Sequence, residues 1–294
     1  MSNINNILIT GITGFLGRNL VKYIIDNDLK YNIFGLANSE KKISLLANYP
    51  NIKIYKLNLL NDFFYNEFDK ILKINKINYV IHNAAMKHVD ICENNPIETL
   101  RTNTIASSQI VDLCKINNIK NLMCLSTDKS NFPFNIYGMS KNIMEKIVLG
   151  QNYSIYQGAN FFGSDGSVVD IWFNQMSSKL PLSVTDRSYI RYFTDITYVC
   201  QNLMDNIDRV GIILPKIVYK INIGLLLDAF CHKFEYVNIV DIGKKIFEKE
   251  IEDLDPSITD IIELDFNGTV EFMDSFFDGN KIDVTKLTKP HNLE

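Results

Sequence analysis

The chain lacks the features that mark secreted, membrane-spanning and nucleic-acid-binding proteins. Its five cysteines are odd in number and form no Cys-x-x-Cys pair, so we expect reduced thiols and no disulfide framework. No run approaches the roughly 18 apolar residues that cross a bilayer, and no basic leader opens the sequence. The formal net charge of −4 argues against a nucleic-acid partner, which needs a basic surface. We therefore expect a cytoplasmic protein without a membrane segment.

Histidines are also few. His82, His88, His232 and His291 show none of the short spacings typical of zinc ligands, so we predict no metal site. What the chain does have is length and apolar content: 294 residues, of which 46% are hydrophobic. That is enough for one large core with a smaller lobe.

Short apolar runs alternate with helical patterns along most of the chain. The runs that indicate buried strands are 6–11, 32–37, 52–59, 78–85 and 121–128. The stretches with helical spacing of apolar residues are 15–27, 63–75, 96–118, 138–150 and 193–207. This alternation predicts parallel pairing with right-handed crossovers, and hence an α/β fold with a Rossmann-type doubly wound parallel sheet.

The pattern loosens from about residue 158, which indicates a second region. We expect a NAD(P)-binding Rossmann domain over 1–157, to which a segment near 193–222 returns. Residues 158–192 and 223–294 would form a smaller, partly discontinuous C-terminal substrate-binding lobe. Ligands commonly bind in the cleft between two such lobes.

A glycine-rich turn follows the first predicted strand and opens the first predicted helix. Gly11, Gly14 and Gly17 are spaced Gly-x-x-Gly-x-x-Gly in ITGITGFLG. Glycine at such a turn lets the backbone approach a pyrophosphate at a helix N-terminus. The strand–turn–helix context favours a dinucleotide site over a plain glycine-rich turn.

The end of the second predicted strand bears on the choice of cofactor. A carboxylate there would bind the ribose 2′-OH of NAD, but the chain reads GLANSEKK. The missing acid leaves room for a 2′-phosphate, with Asn38, Ser39 and Lys41 as candidate donors. We therefore expect NADP. The alternative is that Glu40 serves as the acid and NAD is the cofactor.

Tyr137 and Lys141 lie four residues apart near the start of a predicted helix, so they share one face. A free tyrosine has a pKa of about 10, and a nearby ammonium and a cationic nicotinamide would lower it. Tyr137 would then accept a proton from a substrate hydroxyl as hydride leaves for the cofactor. Thr127 would form a hydrogen bond with the same hydroxyl. The alternative is a surface pair, worth about a few tenths of a kcal/mol.

Asp128 and Lys129 stand at the carboxyl end of the fifth predicted strand. Loops at that end of parallel strands line the ligand crevice of doubly wound sheets. An adjacent acid and base in that place suit proton abstraction and proton donation. The alternative is an exposed ion pair without a chemical role.

Four segments of the chain carry a resemblance to a known family. They are similar to signature segments of the extended short-chain dehydrogenase/reductases, and they read NAAMKHVDICENNPIETLRTN (83–103), STDKSNFPFNIYGMSK (126–141), NFFGSDGSVVDIWFNQ (160–175) and LPLSVTDRSYIRYFT (180–194). Within that superfamily the chain resembles the UDP-N-acetylglucosamine 4,6-dehydratases that invert carbon 5. Related dehydratases that retain configuration carry Asp-Glu where this chain carries Asp128 and Lys129.

The resemblance implies a UDP-sugar substrate, a homo-oligomer and a cofactor that ends the reaction as it began. Hydride leaves carbon 4 with Tyr137 as the base, and Lys129 then removes the acidified proton of carbon 5. Asp128 protonates the departing carbon-6 hydroxyl, and hydride returns to carbon 6. Reprotonation of carbon 5 from the opposite face gives the inversion.

The resemblance also implies contact residues for both ligands. The expected catalytic residues are Thr127, Asp128, Lys129, Tyr137 and Lys141. The expected cofactor contacts are Gly11, Thr13, Gly14, Phe15, Leu16, Gly17, Asn38, Ser39, Lys41, Asn58, Ala84, Ala85, Tyr137 and Lys141. The expected substrate contacts are Lys87, Asn160, Thr185 and Arg191.

Two departures and two competing interpretations complete the picture. Gln157 stands where relatives carry arginine, and Asp165 replaces a cation in GSDGS; both positions belong to the nucleotide-sugar side in the resemblance. A nucleotide-sugar epimerase or ketoreductase would not need an acid–base pair after Thr127. A non-catalytic NADP-binding sensor would not need to keep Tyr137 and Lys141. The dehydratase interpretation accounts for the acid–base pair, Tyr137 and Lys141, whereas the two departures are the best argument for the sensor.

Overall fold

The computed structural model describes residues 4–49 and 51–279 as strands alternating with helices. The strands are β1 Asn5–Thr10, β2 Tyr31–Ala37, β3 Lys53–Lys56, β4 Tyr79–His82, β5 Asn121–Thr127, β6 Ser154–Gly158, β7 Asn160–Phe161, β8 Leu182–Val184, β9 Ile190–Thr194, β10 Gly211–Ile213, β11 Ile217–Asn222, β12 Ile239–Asp241 and β13 Asp260–Glu263. The α-helices are α1 Phe15–Asp26, α2 Glu40–Ile43, α3 Phe64–Ile74, α4 Val89–Asn94, α5 Pro96–Leu100, α6 Ala106–Ile116, α7 Ile136–Leu149, α8 Val168–Ser177, α9 Ile196–Asp205, α10 Ile223–Phe234 and α11 Phe266–Gly279.

The chain divides into two compact units. The first comprises the residues up to Gly158 together with Ile196–Pro215, and the second comprises Ala159–Asp195 together with the residues from Lys216 onward. The returning segment is shorter than the 193–222 expected from the sequence. The reason is that β9 and β11 pair with each other, which keeps both strands in the second unit.

The first unit is built on one parallel sheet. Its seven strands run in the order β10-β6-β5-β4-β1-β2-β3, and every neighbouring pair is parallel. The predicted α/β, Rossmann-type doubly wound sheet is therefore confirmed. The sequence predicted five of these strands and missed β6 and β10.

The core of the first unit explains why its strands read as apolar runs. Every residue of β4 and β5 is buried, as expected for strands covered on both faces. Helix α3 contributes Phe64, Phe68 and Ile71 to the same core, because residues at this spacing share one face. Each such side chain contributes roughly 1.5–3 kcal/mol through burial, and together they fix the carboxyl ends of the strands.

Four predicted elements differ from those observed, the first being the strand expected at 52–59, which is only Lys53–Lys56. The strand expected at 78–85 ends at His82, and 83–85 form a loop. The single helix expected at 96–118 is α5, a π-helical turn at Arg101–Ile105, and α6. The helix expected at 193–207 begins at Ile196, because Phe193 and Thr194 pair within a sheet as part of β9.

The second unit contains a four-stranded sheet in the order β13-β11-β9-β7 and a two-stranded sheet of β12 and β8. Its core is aromatic: the ring of Phe162 meets those of Phe193, Phe272 and Phe276 edge-on, at centroid distances of 5.5, 4.8 and 5.1 Å. Gly163, at φ +67°, packs so closely that an added Cβ would lie 2.0 Å from the Phe276 ring.

The residues that the structure describes include neither a membrane-spanning helix nor a cluster of metal-binding side chains. No helix there has both the length and the apolar character to cross a membrane. The same residues hold no group of three or more His, Cys, Asp or Glu side chains arranged to bind a metal ion.

Candidate active site

The glycine loop joins β1 to α1 and lies against the loop that follows β4. Gly11 has φ +66°, and a Cβ there would sit 3.0 Å from the backbone nitrogen and Cα of Ala84. A Cβ on Gly17 would sit 2.5 Å from the carbonyl oxygen of Ile12. The three-glycine pattern is thus required by close backbone approach, with Gly14 donating its N–H to the oxygen of Gly11 at 2.9 Å.

The start of α1 fits the pyrophosphate of a dinucleotide. Gly14 is the N-cap, no side-chain hydrogen bond caps this end, and no acid lies in the first turn. The amide groups of a helix N-terminus attract an anion through their hydrogens and the helix dipole. Of the other residues expected here, Thr13 and Leu16 are buried and Phe15 is half-buried. Ala84 and Ala85, on the loop after β4, are half-buried as well.

A buried histidine that sequence reasoning passed over holds this loop in place. The Thr10 hydroxyl accepts hydrogen bonds from the backbone N–H groups of Asn83 and Ala84, both at 3.1 Å, so its own proton points to Nδ1 of His82 at 2.7 Å. Nε2 of His82 then donates to Ser107 at 2.9 Å. Burial, with the charge of Lys141, lowers the pKa of His82 to about 3. A histidine inside the apolar run NYVIHNAA was the signal for this contact.

The end of β2 offers amide and hydroxyl groups rather than an acid. Asn38 is exposed just after the strand, and Ser39 is the N-cap of α2 without a side-chain cap bond. Glu40 is engaged by Lys56 at 2.5 Å, and the hydrogen bond from Lys56 lowers the pKa of Glu40. Lys41 lies in α2, and its side chain is outside the part that the structure describes. Asn58 is exposed in the turn after β3.

Helix α7 presents Tyr137 and Lys141 to the interior. The Asn135 side chain caps the helix by accepting from the N–H of Gly138 at 2.8 Å. Lys141 is 4% exposed, and its Nζ donates to the carbonyl oxygen of Leu125 at 2.8 Å. Burial lowers the pKa of Lys141 to about 8. The lysine is thus anchored to β5, and the alternative of a surface pair does not describe it.

The environment of Tyr137 differs from the sequence-based expectation. Burial raises the pKa of Tyr137 to about 12, although the charge of Lys129 and a hydrogen bond from Thr127 act in the opposite direction. Desolvation thus outweighs the nearby cation, Lys129, in the protein without cofactor. The expected lowering of the Tyr137 pKa included a cationic nicotinamide and stays a prediction for the cofactor-bound enzyme.

Asp128 and Lys129 form a short 3₁₀ turn, Asp128–Ser130, directly after β5. Their side chains are 3% and 20% exposed, and Nζ of Lys129 lies 3.3 Å from Oδ1 of Asp128. The Thr127 hydroxyl donates to the same oxygen at 2.8 Å. The pair is therefore largely buried, and the structure brings Thr127, Asp128, Lys129 and Tyr137 together at the carboxyl end of β5.

The expected substrate contacts lie in different places. Lys87 is an exposed residue of the first unit, and Thr185 is half-buried directly after β8 in the second. Asn160 donates to Oε2 of Glu252 at 2.8 Å. Arg191 is paired with two carboxylates, Glu248 at 3.3 Å and Glu252 at 3.5 Å.

Gln157, one of the two departures from the family pattern, packs against the turn Asp128–Ser130. It belongs to β6 of the first unit and is 4% exposed. Its amide donates to the Ser130 hydroxyl at 2.9 Å, and Asn131 donates to its oxygen at 3.1 Å. Gln157 therefore supports the turn that carries Asp128 and Lys129. Asp165, the other departure, is exposed in the second unit.

With this geometry in view, comparison with known proteins gives a family. The chain belongs to the polysaccharide biosynthesis protein family, whose sequence profile matches residues 7–258. It is 30% identical over 278 residues to the inverting UDP-N-acetylglucosamine 4,6-dehydratase of Campylobacter jejuni, covering 88% of this chain and 81% of that protein. It is equally, 30%, identical over 255 residues to a UDP-glucose 4-epimerase of Rickettsia bellii, covering 82% and 69%. The resemblance to extended short-chain dehydrogenase/reductases is confirmed.

Solved structures agree on the fold. The dTDP-glucose 4,6-dehydratase DesIV of Streptomyces venezuelae, determined with NAD, has a TM-score of 0.78 at 13% identity over 94% of this chain and 98% of its own. The UDP-glucose 4-epimerase of Thermus thermophilus, also with NAD, has a TM-score of 0.76 at 16% identity over 85% and 90%. These structures share the fold, and the family profile and the sequence relatives above make the protein an enzyme of the nucleotide-sugar dehydratase and epimerase superfamily.

Proposed function

We propose that this protein is an NADP-dependent 4,6-dehydratase of UDP-N-acetylglucosamine that inverts carbon 5. The observation that carries the proposal is the largely buried acid–base pair of Asp128 and Lys129, 3.3 Å apart and electrostatically coupled to Tyr137. Dehydration needs both a base for carbon 5 and an acid for the departing hydroxyl, whereas epimerization at carbon 4 needs neither. The relatives do not decide between the two, since the Campylobacter jejuni dehydratase and the Rickettsia bellii epimerase are both 30% identical to the chain, so the choice rests on the acid–base pair.

A bound nicotinamide cofactor would accept hydride from carbon 4 and return it to carbon 6. Tyr137 takes the proton of the carbon-4 hydroxyl, and Thr127 orients that hydroxyl through a hydrogen bond. A buried phenol with a raised pKa gives up its proton reluctantly, so cationic charge beside it matters. Lys129 supplies part of that charge from the turn.

The Asp128–Lys129 pair performs the elimination. A proton that passes from Nζ of Lys129 to Asp128 leaves a neutral amine beside a neutral acid, a form that burial favours over the ion pair. Lys129 then removes the carbon-5 proton, and Asp128 gives its proton to the carbon-6 hydroxyl, which departs as water. Both side chains return to their charged forms. Carbon 5 then takes a proton from water on its opposite face as hydride returns to carbon 6, and Tyr137 releases to water the proton that it took from the carbon-4 hydroxyl, so protons balance over the cycle.

The preference for NADP rests on the end of β2. Asn38 and Ser39 are donors, and the acid nearest to them, Glu40, is held by Lys56 at 2.5 Å. A 2′-phosphate accepts from donors of this kind, whereas a 2′-hydroxyl needs a carboxylate. Titration of the purified protein with each cofactor should give tighter binding of NADP, and tighter binding of NAD would reverse this part of the proposal.

The decisive experiment is turnover in D₂O. The protein would be incubated with UDP-N-acetylglucosamine and a catalytic amount of NADP, and the sugar followed by proton NMR. The expected product is a 6-deoxy-4-keto sugar with deuterium at carbon 5 and the L-configuration. The same ketone with retained configuration would overturn the role of Lys129, and an epimer at carbon 4 without dehydration would establish the epimerase alternative.

The matched variant for this experiment is Lys129→Ala. It should abolish dehydration while NADP binding stays within about twofold, because removal of a base costs transition-state stabilisation only. Unchanged turnover in this variant would contradict the assignment.

A further inference from the structure

Helix α7 carries a third polar residue on the face of Tyr137 and Lys141. Glu145 follows Lys141 by four residues, so the three side chains lie along one line of the helix. Glu145 is only 8% exposed, and its charge raises the pKa of Lys141 against the stronger effect of burial. None of the roles described above uses this buried acid.

One carboxylate oxygen of Glu145 accepts hydrogen bonds from three segments of the chain. Oε1 accepts from the hydroxyl of Ser130 at 2.6 Å and from the amide of Gln157 at 3.2 Å. It also accepts from the hydroxyl of Ser126. Ser126 belongs to β5, Gln157 belongs to β6, and Ser130 belongs to the turn Asp128–Ser130.

The turn is bound to α7 at two further points. The side chain of Asn142 donates to the carbonyl oxygen of Ser130 at 3.0 Å. A Cβ on Gly138 would lie 2.2 Å from the carbonyl oxygen of Lys129, so the helix and the turn are in direct contact. The hydroxyl of Ser130 also lies 2.6 Å from the carbonyl oxygen of Thr127, and its single proton serves that oxygen and Glu145 in turn.

We propose that Glu145 is a positioning residue that fixes the Asp128–Lys129 pair relative to Tyr137 and Lys141, through Ser130 of the turn and Gln157 of β6. The proposal rests on the proposed function, in which Tyr137 and Lys141 serve the oxidation at carbon 4, and Asp128 and Lys129 serve the elimination of water. Hydrogen bonds to an ionised acceptor are stronger and shorter than neutral ones. A carboxylate below the turn therefore holds it more firmly than an amide or a water would.

Two serines of the same network provide a matched comparison. Both donate to Oε1 of Glu145, but Ser130 is part of the turn whereas Ser126 lies in the sheet. If Glu145 acts by holding the turn, Ser130→Ala should impair the elimination, and Ser126→Ala should not. If the network serves only to stabilise the fold, the two variants should behave alike.

The experiment uses the full chain with NADP and UDP-N-acetylglucosamine, and it compares Glu145→Gln, Ser130→Ala and Ser126→Ala with the parent. Three quantities are measured: the absorbance of reduced cofactor, the exchange of the carbon-5 proton in D₂O, and kcat and KM for the 6-deoxy product. In Glu145→Gln and Ser130→Ala we expect about a tenfold or larger fall in kcat and in carbon-5 exchange, with KM within about twofold. Reduced cofactor should accumulate, because oxidation at carbon 4 continues while elimination is slow.

A readout that is independent of catalysis guards against simple unfolding. Hydrogen exchange at the amides of residues 128–130, followed by mass spectrometry, should accelerate in Glu145→Gln and Ser130→Ala and stay unchanged in Ser126→Ala. Equal effects of the two serine variants, or equal losses of oxidation and elimination, would overturn the positioning role. A parent protein that forms no 6-deoxy product would instead overturn the proposed function, and the inference with it.

Discussion

Two charged clusters, one in each unit, differ in how their cations are partnered. At the end of β5 in the first unit, one base, Lys129, stands beside one acid, Asp128. On β9 in the second unit, one cation, Arg191, stands between Glu248 and Glu252. The first cluster has balanced charge suited to passing a proton. In the second, Arg191 is shared between two carboxylates, one of which, Glu248, also lies 3.8 Å from Lys245, at a residue that the resemblance implies contacts the substrate.

The difference indicates that the residues proposed for catalysis are more firmly preorganised than the arginine expected to contact the substrate. The residues proposed for chemistry are held by hydrogen bonds and close packing before any substrate arrives. Arg191, proposed for nucleotide recognition, is held by carboxylates of its own chain, which a diphosphate would have to displace. We therefore expect the first cluster to be sensitive to small steric changes and the second to respond to changes of charge.

The largest effect should follow from Gly138→Ala, which tests the steric side of the comparison. The new Cβ would lie 2.2 Å from the carbonyl oxygen of Lys129, so the turn must move away from α7. We expect turnover to fall by about a hundredfold, with an unfolding free energy lower by about 1–3 kcal/mol, as for other overpacked sites. Met139→Ala, at an exposed position of the same helical turn, should leave turnover nearly unchanged. Normal turnover in Gly138→Ala would show that the contact is dispensable.

The next effect should come from Gly163→Ala, which separates the stabilities of the two units. At φ +67° a new Cβ would lie 2.0 Å from the ring of Phe276, and overpacking of this kind costs about 1–3 kcal/mol. The single tryptophan, Trp172, belongs to the second unit, so its fluorescence should report earlier unfolding there.

Gly243→Ala is the control for Gly163→Ala. It has a similar φ of +79°, but nothing lies within 4 Å of its added Cβ. It therefore isolates backbone strain from the clash, and the affinity for the cofactor proposed to bind the first unit should persist in both variants. An equal loss of stability in the two would mean that strain, rather than the clash, dominates.

Acid should act on the first unit through His82. Its folded pKa of about 3 is below the ordinary value, so the unfolded chain binds more protons between pH 3 and 6.5 and stability rises with pH over that window. From pH 7 to pH 5 this histidine should cost about 2 kcal/mol of unfolding free energy. Urea unfolding at both pH values should show that loss in the parent and a smaller one in His82→Gln. His232→Gln, at an exposed site, should retain the full loss, and an identical loss in all three proteins would contradict the assignment.

The smallest effect is expected for Glu252→Gln, which tests the charge side of the comparison. Removing the charge of Glu252, which is 7% exposed beside Arg191, should tighten binding of UDP by about two- to fivefold, because Arg191 would keep only its pairing with Glu248 and the new amide could still accept from Asn160. Calorimetric titration with UDP measures this directly. The control is Glu250→Gln, whose carboxylate pairs with Lys244 at 2.7 Å. Weaker UDP binding in Glu252→Gln would mean that Arg191 depends on this acid for its placement.

Sequence patterns predicted the parts of this molecule that depend on local repetition. The apolar runs at β1 to β5, the glycine loop, and the four-residue spacing of Tyr137 and Lys141 all have periods that one can read along the chain. Strand β10 was not predicted because a run of three residues shows no periodicity. Strand β6 was not predicted because it lies just before the change of pattern near residue 158.

Contacts between segments that are distant in the sequence were not predicted, for a different reason. The bond between Gln157 and the turn, and the pairing of Arg191 with acids 57 and 61 positions later, arise only when distant segments pack. The rise of the Tyr137 pKa in the protein without cofactor was not predicted, because desolvation causes it and desolvation cannot be read from the sequence. The burial of His82 and Glu145 could have been predicted, since each is a polar residue at a position whose spacing in the sequence indicates burial.

The close packing of α7 on the turn has a consequence for protein engineering. Residues 126–145 carry the proposed acid, base, tyrosine, lysine and carboxylate support in one continuous stretch. Its partners outside the stretch include Gln157, Glu93, Asn103 and Thr104. Exchange of this stretch between related enzymes would therefore have to keep those four positions matched to it. Recombination that cuts between Lys129 and Gly138 would instead pair a turn from one parent with a helix from another and separate surfaces shaped to each other.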